Sequence, residues 1–140
     1  MISNAQALFD FAREFWDVTD TPPPDANLFE LWGIDGDDGF DFIEKFSERF
    51  SVDVSNYRWY FHHAEEGWNF GGIFFAPPNG RVSQIPITLE ILDEAISKGR
   101  WPINYPDHIL PKARWDLRIN LLLSLLFVGG LLALLVATLF

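Results

Sequence analysis

Residues 31–50 read LWGIDGDDGFDFIEKFSERF, and the fold follows from how this stretch divides. It begins with a short apolar lead-in. Asp35 is placed to cap a helix, because a carboxylate there can accept hydrogen bonds from the unpaired amides of the first turn. Asp37, Asp38 and Asp41 come next, near the helix start, where the helix dipole favours negative charge. Phe42, Ile43, Phe46 and Phe50 recur at spacings of three and four, which predicts an amphipathic helix over residues 36–50 with one apolar stripe.

The flanking segments supply partners for that stripe. Residues 3–18 predict a first helix, with Ser3 and Gln6 at capping-box spacing and Ala5, Leu8, Ala12, Phe15 and Trp16 on its apolar face. Residues 19–26 contain three consecutive prolines and form a linker, since such a run favours extended polyproline backbone. Residues 28–32 are a short apolar segment suited to packing beneath the central helix. Residues 51–55, SVDVS, alternate like a short extended piece, and the aromatic-rich residues 57–63, YRWYFHH, suit a helical turn. Residues 68–87 resemble two short extended segments about Asn79-Gly80, an irregular or β-hairpin insertion that Pro77, Pro78 and Pro86 confine to an edge. Residues 88–98 predict another helix, capped by Thr88, closed by Lys98 and Gly99, and burying Leu89, Leu92, Ala95 and Ile96.

The end of the chain is of a different character. Residues 121–140 contain no charge and no proline. Twenty helical residues rise about 30 Å, the thickness of a bilayer's hydrocarbon core. The alternative is a buried core helix, but an acidic domain of this size has little room to enclose an all-apolar helix. Lys112, Arg114 and Arg118 precede the segment, with Trp115 as an interfacial anchor. The positive-inside bias places that flank, and the N-terminal domain with it, in the cytoplasm. Gly129, Ala133 and Ala137 form a small-residue stripe at spacings of four, which would let two copies pack as a homodimer within the membrane.

Composition narrows the function classes. The chain carries 20 acidic and 10 basic residues, a net charge of −10. Residues 1–111 hold 19 of the acidic and 7 of the basic residues, so the domain is more acidic than the whole chain. Such a surface repels nucleic acid and anionic lipid and suits a partner with a basic face. The absence of cysteine removes disulfides, thiolate metal sites and cysteine nucleophiles. No basic, apolar leader opens the sequence, and no nucleophile elbow, phosphate loop or dinucleotide fingerprint is present.

Four motifs in order give the layout a likeness. They are the Gly-Ile-Asp turn at residues 33–35 within the stretch 32–38, the Phe-rich run from Phe46 to Asp53, the Tyr60-Phe61 pair, and residues 88–101, whose helix lies in ITLEILDEAI (residues 87–96). The chain resembles the acyl carrier protein family and, more closely, an uncharacterised bacterial family of carrier-like proteins, over roughly residues 3–101. The resemblance implies a small helical bundle whose second long helix presents an acidic docking face. In carriers that helix begins with a serine bearing the phosphopantetheine arm. Here the position is Gly36, which has no hydroxyl, so the usual attachment is excluded and no cofactor is expected. A carrier modified at an unusual serine, such as Ser47 or Ser51, is a weaker alternative.

The expected fold is therefore mainly α. An acyl-carrier-like domain covers residues 1–101, a Pro-rich and basic juxtamembrane linker covers residues 102–118, and a transmembrane anchor covers residues 119–140. The expected function is non-catalytic protein interaction at a bacterial inner (cytoplasmic) membrane, with Asp35, Asp37, Asp38, Asp41, Glu44 and Glu48 as the docking face. The alternatives are a lipid- or acyl-chain-binding domain using the abundant aromatics, and an immunity- or inhibitor-type accessory protein.

Two metal-binding readings fail on spacing. Read as a calcium loop from Asp35, the sixth position is Phe40 rather than glycine and the twelfth is Phe46 rather than glutamate. His62-His63 with Glu65-Glu66 offers ligand chemistry, but adjacent histidines point apart, so a solvated polar turn is expected instead.

Overall fold

The computed structural model describes residues 4–139, and these are mainly helical. Five α-helices follow in order: α1 (Ala5–Phe15), α2 (Leu28–Trp32), α3 (Gly36–Phe50), α4 (Leu89–Lys98) and α5 (Trp115–Leu139). Three 3₁₀ turns, at Trp59–Phe61, Phe70–Ile73 and Pro78–Arg81, lie between α3 and α4. The central helix occupies the predicted span. Its buried face carries Phe42, Ile43 and Phe46, while Phe50 is half-buried at the end of the stripe.

One core joins four of the helices. Leu8 and Phe11 of α1, Phe29 of α2, Phe42 and Phe46 of α3, and Leu92 of α4 all belong to it. Phe11 makes edge-on ring contacts with both Phe42 and Phe46, at centroid distances of 5.4 and 6.3 Å. Such geometry adds to the area buried, because the electropositive ring edge meets an electronegative face. Ile34, Val52, Ile87 and Trp101 complete the core from outside the helices.

Local chemistry sets the helix ends. The Thr88 hydroxyl accepts from the Ile91 amide at 3.3 Å, as its N-cap position predicts. Gly99 ends α4 in the left-handed region at φ 66°, where glycine is favoured. Ser3 lies outside the described residues, so its proposed capping box is not described. Its neighbour Asn4 ties α1 to α4, because both its backbone and side-chain nitrogens donate to Asp93 at 2.8 Å. Within the SVDVS piece Asp53 forms a single parallel bridge to Arg100, just after α4, while Ser51 still belongs to the end of α3.

Two expectations need correction. No β-hairpin forms about Asn79-Gly80, and no strand occurs among the described residues. Pro77 has φ −65° and Pro78 follows it, so both lack the N–H a ladder requires. The Gly80 amide instead closes a tight turn by donating to the Pro77 carbonyl at 3.0 Å. The long apolar helix also begins before the predicted anchor, at Trp115, and absorbs the end of the expected linker. From Leu121 to Leu139 this helix is exposed on all sides, so it is not a buried core helix. It is long and apolar enough to cross a membrane.

Candidate functional site

The start of α3 is held by an exchange with the loop that follows the Trp59–Phe61 turn. Asp35 sits at the N-cap with extended backbone, yet its carboxylate does not cap the helix. Its Oδ1 accepts instead from the Ala64 amide at 3.1 Å, and the Gly36 amide donates to the Ala64 carbonyl at 2.9 Å. Asp35 is thus a tether between two segments.

Gly36 is buried and adopts φ +51°. A Cβ there would meet Glu66 Cγ at 2.1 Å and Glu66 Cβ at 2.9 Å. Gly36 therefore has no hydroxyl, and any side chain there would have to displace Glu66. The Ser47 hydroxyl donates to the Val52 carbonyl at 2.7 Å, and Ser51 forms the left-handed C-cap of α3 at φ 54°.

The carboxylates of α3 point outward. Asp37, Asp38, Asp41, Glu44 and Glu48 are all exposed, as is Asp35. Asp41 has Lys45 at 3.5 Å, and the nearby Arg49 is taken by Glu14 of α1 at 2.7 Å. Among the described residues no ion pair engages Asp37, Asp38, Glu44 or Glu48. Their charge is left to solvent or to a partner.

The two histidines overturn the expectation of a solvated turn. His62 and His63 are both buried. The Ile85 carbonyl lies 2.8 Å from His62 Nδ1, so that nitrogen carries the proton. Nε2 is then the acceptor for the Tyr105 hydroxyl at 2.7 Å. Tyr105 in turn accepts from Trp101 Nε1 at 2.8 Å. The network pins the segment after α4 to the loop before it. Burial drives the His62 pKa down to about 4, against a smaller opposing effect of its bond to Ile85. His63 is shifted the same way, mainly by burial. Its ring lies against α3, where a Cβ on Gly39 would come within 2.8 Å of Nε2. His62 is held in this network, whereas the buried His63 Nε2 has no hydrogen-bond partner, and no group of metal-binding side chains converges among the described residues.

A second polar constellation joins the domain to α5. Arg114 donates to both oxygens of Glu65, at 2.9 and 2.6 Å, and to both oxygens of Asp116, at 2.9 and 2.6 Å. Asp116 is buried, and it also accepts from Asn69 Nδ2 at 2.9 Å. Asn120 closes the set: its Oδ1 accepts from the Gly71 amide at 2.8 Å and its Nδ2 donates to Asn69 Oδ1 at 2.9 Å. A Cβ on Gly71 would lie 2.0 Å from the Asp116 carbonyl oxygen, so glycine allows the loop to approach the helix backbone.

Of the expected membrane flank, Lys112, Trp115 and Arg118 are exposed, with the Arg118 guanidinium 4.5 Å from the Trp115 ring centroid. Arg114 is instead consumed by the clamp, and its two carboxylate partners hold its proton more firmly than in a free guanidinium. Gly129, Ala133 and Ala137 lie along exposed helix, and no heavy atom comes within 4 Å of a Cβ built on Gly129. The clamp is not legible in the sequence, because Glu65, Asn69 and Asn120 are unremarkable polar residues until the fold joins them. The only local signal was an asparagine at the edge of the apolar run. No protein-family model, curated protein or solved structure matches the chain.

Proposed function

We propose that this protein is a non-catalytic, carrier-like interaction domain tethered to a bacterial inner membrane by α5, with the domain on the cytoplasmic side. One observation carries the membrane reading: the apolar side chains of α5 have no covering partner among the described residues. An apolar helix of this length exposed to water would be strongly unfavourable, whereas in a bilayer its backbone is satisfied internally and its side chains are solvated by lipid. Lys112, Arg114 and Arg118, all just before the apolar run, support the orientation.

The acidic face of α3 is the docking surface for a protein partner with a basic patch. Its carboxylates are exposed and mostly unpaired, and the apolar stripe behind them is committed to the core. Docking of this kind is steered by long-range attraction and weakens as salt rises. The closed position at Gly36 favours a role in recognition over one in acyl carriage.

The test is reversal of Asp37, Asp38 and Glu44 to lysine in the full chain, solubilised from membranes in detergent. Partners cross-linked to the wild type should be lost, with the helical circular dichroism spectrum unchanged. Retention of the same partners by the variant would refute the docking face.

A further inference from the structure

The Phe70–Ile73 turn and its flanks carry an unusual concentration of exposed apolar side chains. Trp68 is 87% exposed, Ile73 78% and Phe74 71%, and Phe70 and Phe75 are exposed as well. Isolated surface hydrophobes are ordinary, but a contiguous set marks an interface. This set does not stand alone. Trp68 and Phe70 stack at 5.7 Å and form one wall of a groove of about 640 Å³ whose other wall is α5, through Leu123, Phe127 and Val128. Phe75 approaches Trp115 at 6.4 Å on the same helix.

The depth of the groove follows from helix geometry. From Asn120 to Val128 the helix rises about 12 Å. Leu123, Phe127 and Val128 lie within the apolar run of α5, so a bilayer that covers them must also cover the Trp68 and Phe70 rings facing them. Part of the loop backbone is already paired within the protein. The Gly71 amide is satisfied by Asn120, the Gly72 amide by Asn69 Oδ1 at 2.9 Å, and the Phe74 and Phe75 amides by the Gly71 carbonyl at 3.0 and 2.9 Å. Non-helical backbone enters the apolar zone of a membrane only when its polar groups are paired within the protein.

We infer that residues 68–75 form a second membrane-contacting element, an aromatic loop seated at the boundary of headgroups and acyl chains of the same bilayer that α5 crosses. The groove between the loop and α5 takes a lipid acyl chain. Aromatic side chains favour this boundary, and an apolar face inserts there by about 5–10 Å. The polar clamp from Glu65 to Asn120 sits at the junction and fixes the loop to the helix, so the domain rides at one orientation to the membrane. The inference rests on α5 spanning the bilayer, and its test separates the two.

Because the chain has no cysteine, single-cysteine variants of the full protein give clean labelling sites. Ile73→Cys, Leu126→Cys and Ser97→Cys, each exposed, would carry an environment-sensitive fluorophore in phosphatidylcholine–phosphatidylglycerol vesicles containing nitroxide-labelled lipid. Emission at 73 should shift to the blue and fall by roughly half with a shallow nitroxide, emission at 126 should fall with a deep one, and emission at 97 should not change. A water-like, unquenched signal at 73 with quenching at 126 would overturn the loop's insertion and leave the span intact, and a blue-shifted but unquenched signal at 73 would overturn it in favour of a second copy covering the groove. Unquenched signals at both positions would overturn the span and the loop together.

Discussion

Two glycines in α3 show how one residue decides what the site can do. Gly36 combines a positive φ with the Glu66 side chain directly over its Cα. A serine there would be strained and would displace Glu66, at a cost of about 1–3 kcal/mol for the backbone alone. We therefore expect Gly36→Ser to lower the urea midpoint and to gain no phosphopantetheine in an intact-mass measurement after incubation with a transferase. Gly39 makes a sharper case. Replacing a mid-helix glycine by alanine ordinarily stabilises by about 1 kcal/mol. Here the added methyl meets the His63 ring, so Gly39→Ala should destabilise, and a rise in melting temperature would show that His63 has room to move. The absence of a hydroxyl at position 36 was legible in the sequence. The reason for glycine at 39 was not, because its neighbour is 24 positions away.

At the scale of elements, legibility followed the strength of the local pattern. The stripe of Phe42, Ile43 and Phe46 repeats at the helical period, and the helix appears where it predicts. Thr88 and Gly99 carry explicit start and stop chemistry, and both ends of α4 agree with it. Asn79-Gly80 misled, because a hairpin signal counts only when the flanking residues can pair, and Pro77 and Pro78 cannot. Asp35 was placed correctly as an N-cap, but its carboxylate bonds to Ala64, a choice set by tertiary contact. The clamp and the loop beside α5 were hidden for the same reason. The small-residue stripe of α5 makes its own prediction. Replacing Gly129 and Ala133 by isoleucine should abolish cross-linked dimers in membranes, and unchanged cross-linking would rule out packing through that stripe.

The whole molecule couples its stability to pH through the buried histidines. Folded His62 stays neutral down to about pH 4, whereas an unfolded histidine takes up a proton near its ordinary value of 6.5. Between these limits the unfolded chain binds more protons, so stability falls as pH drops from about 6.5 towards 4, by on the order of 3 kcal/mol for this group. His63 acts in the same direction. Urea midpoints should decline across this window, and His62→Gln should flatten the slope even if it lowers stability throughout; an unchanged slope would mean that His62 titrates normally in the fold. The composition foretold an acidic domain joined to an apolar helix. It was silent on the histidine network, because His62, Ile85 and Tyr105 come from three separate segments. The membrane span is the claim on which location, orientation and the aromatic loop all depend. Its most direct measurement uses full-length Ser97→Cys and a second form with one cysteine appended after Phe140, each treated with a membrane-impermeant maleimide in intact and then lysed spheroplasts. With α5 crossing the membrane, the appended cysteine should react in intact spheroplasts and position 97 only after lysis; equal reaction of both positions from one side would contradict the span.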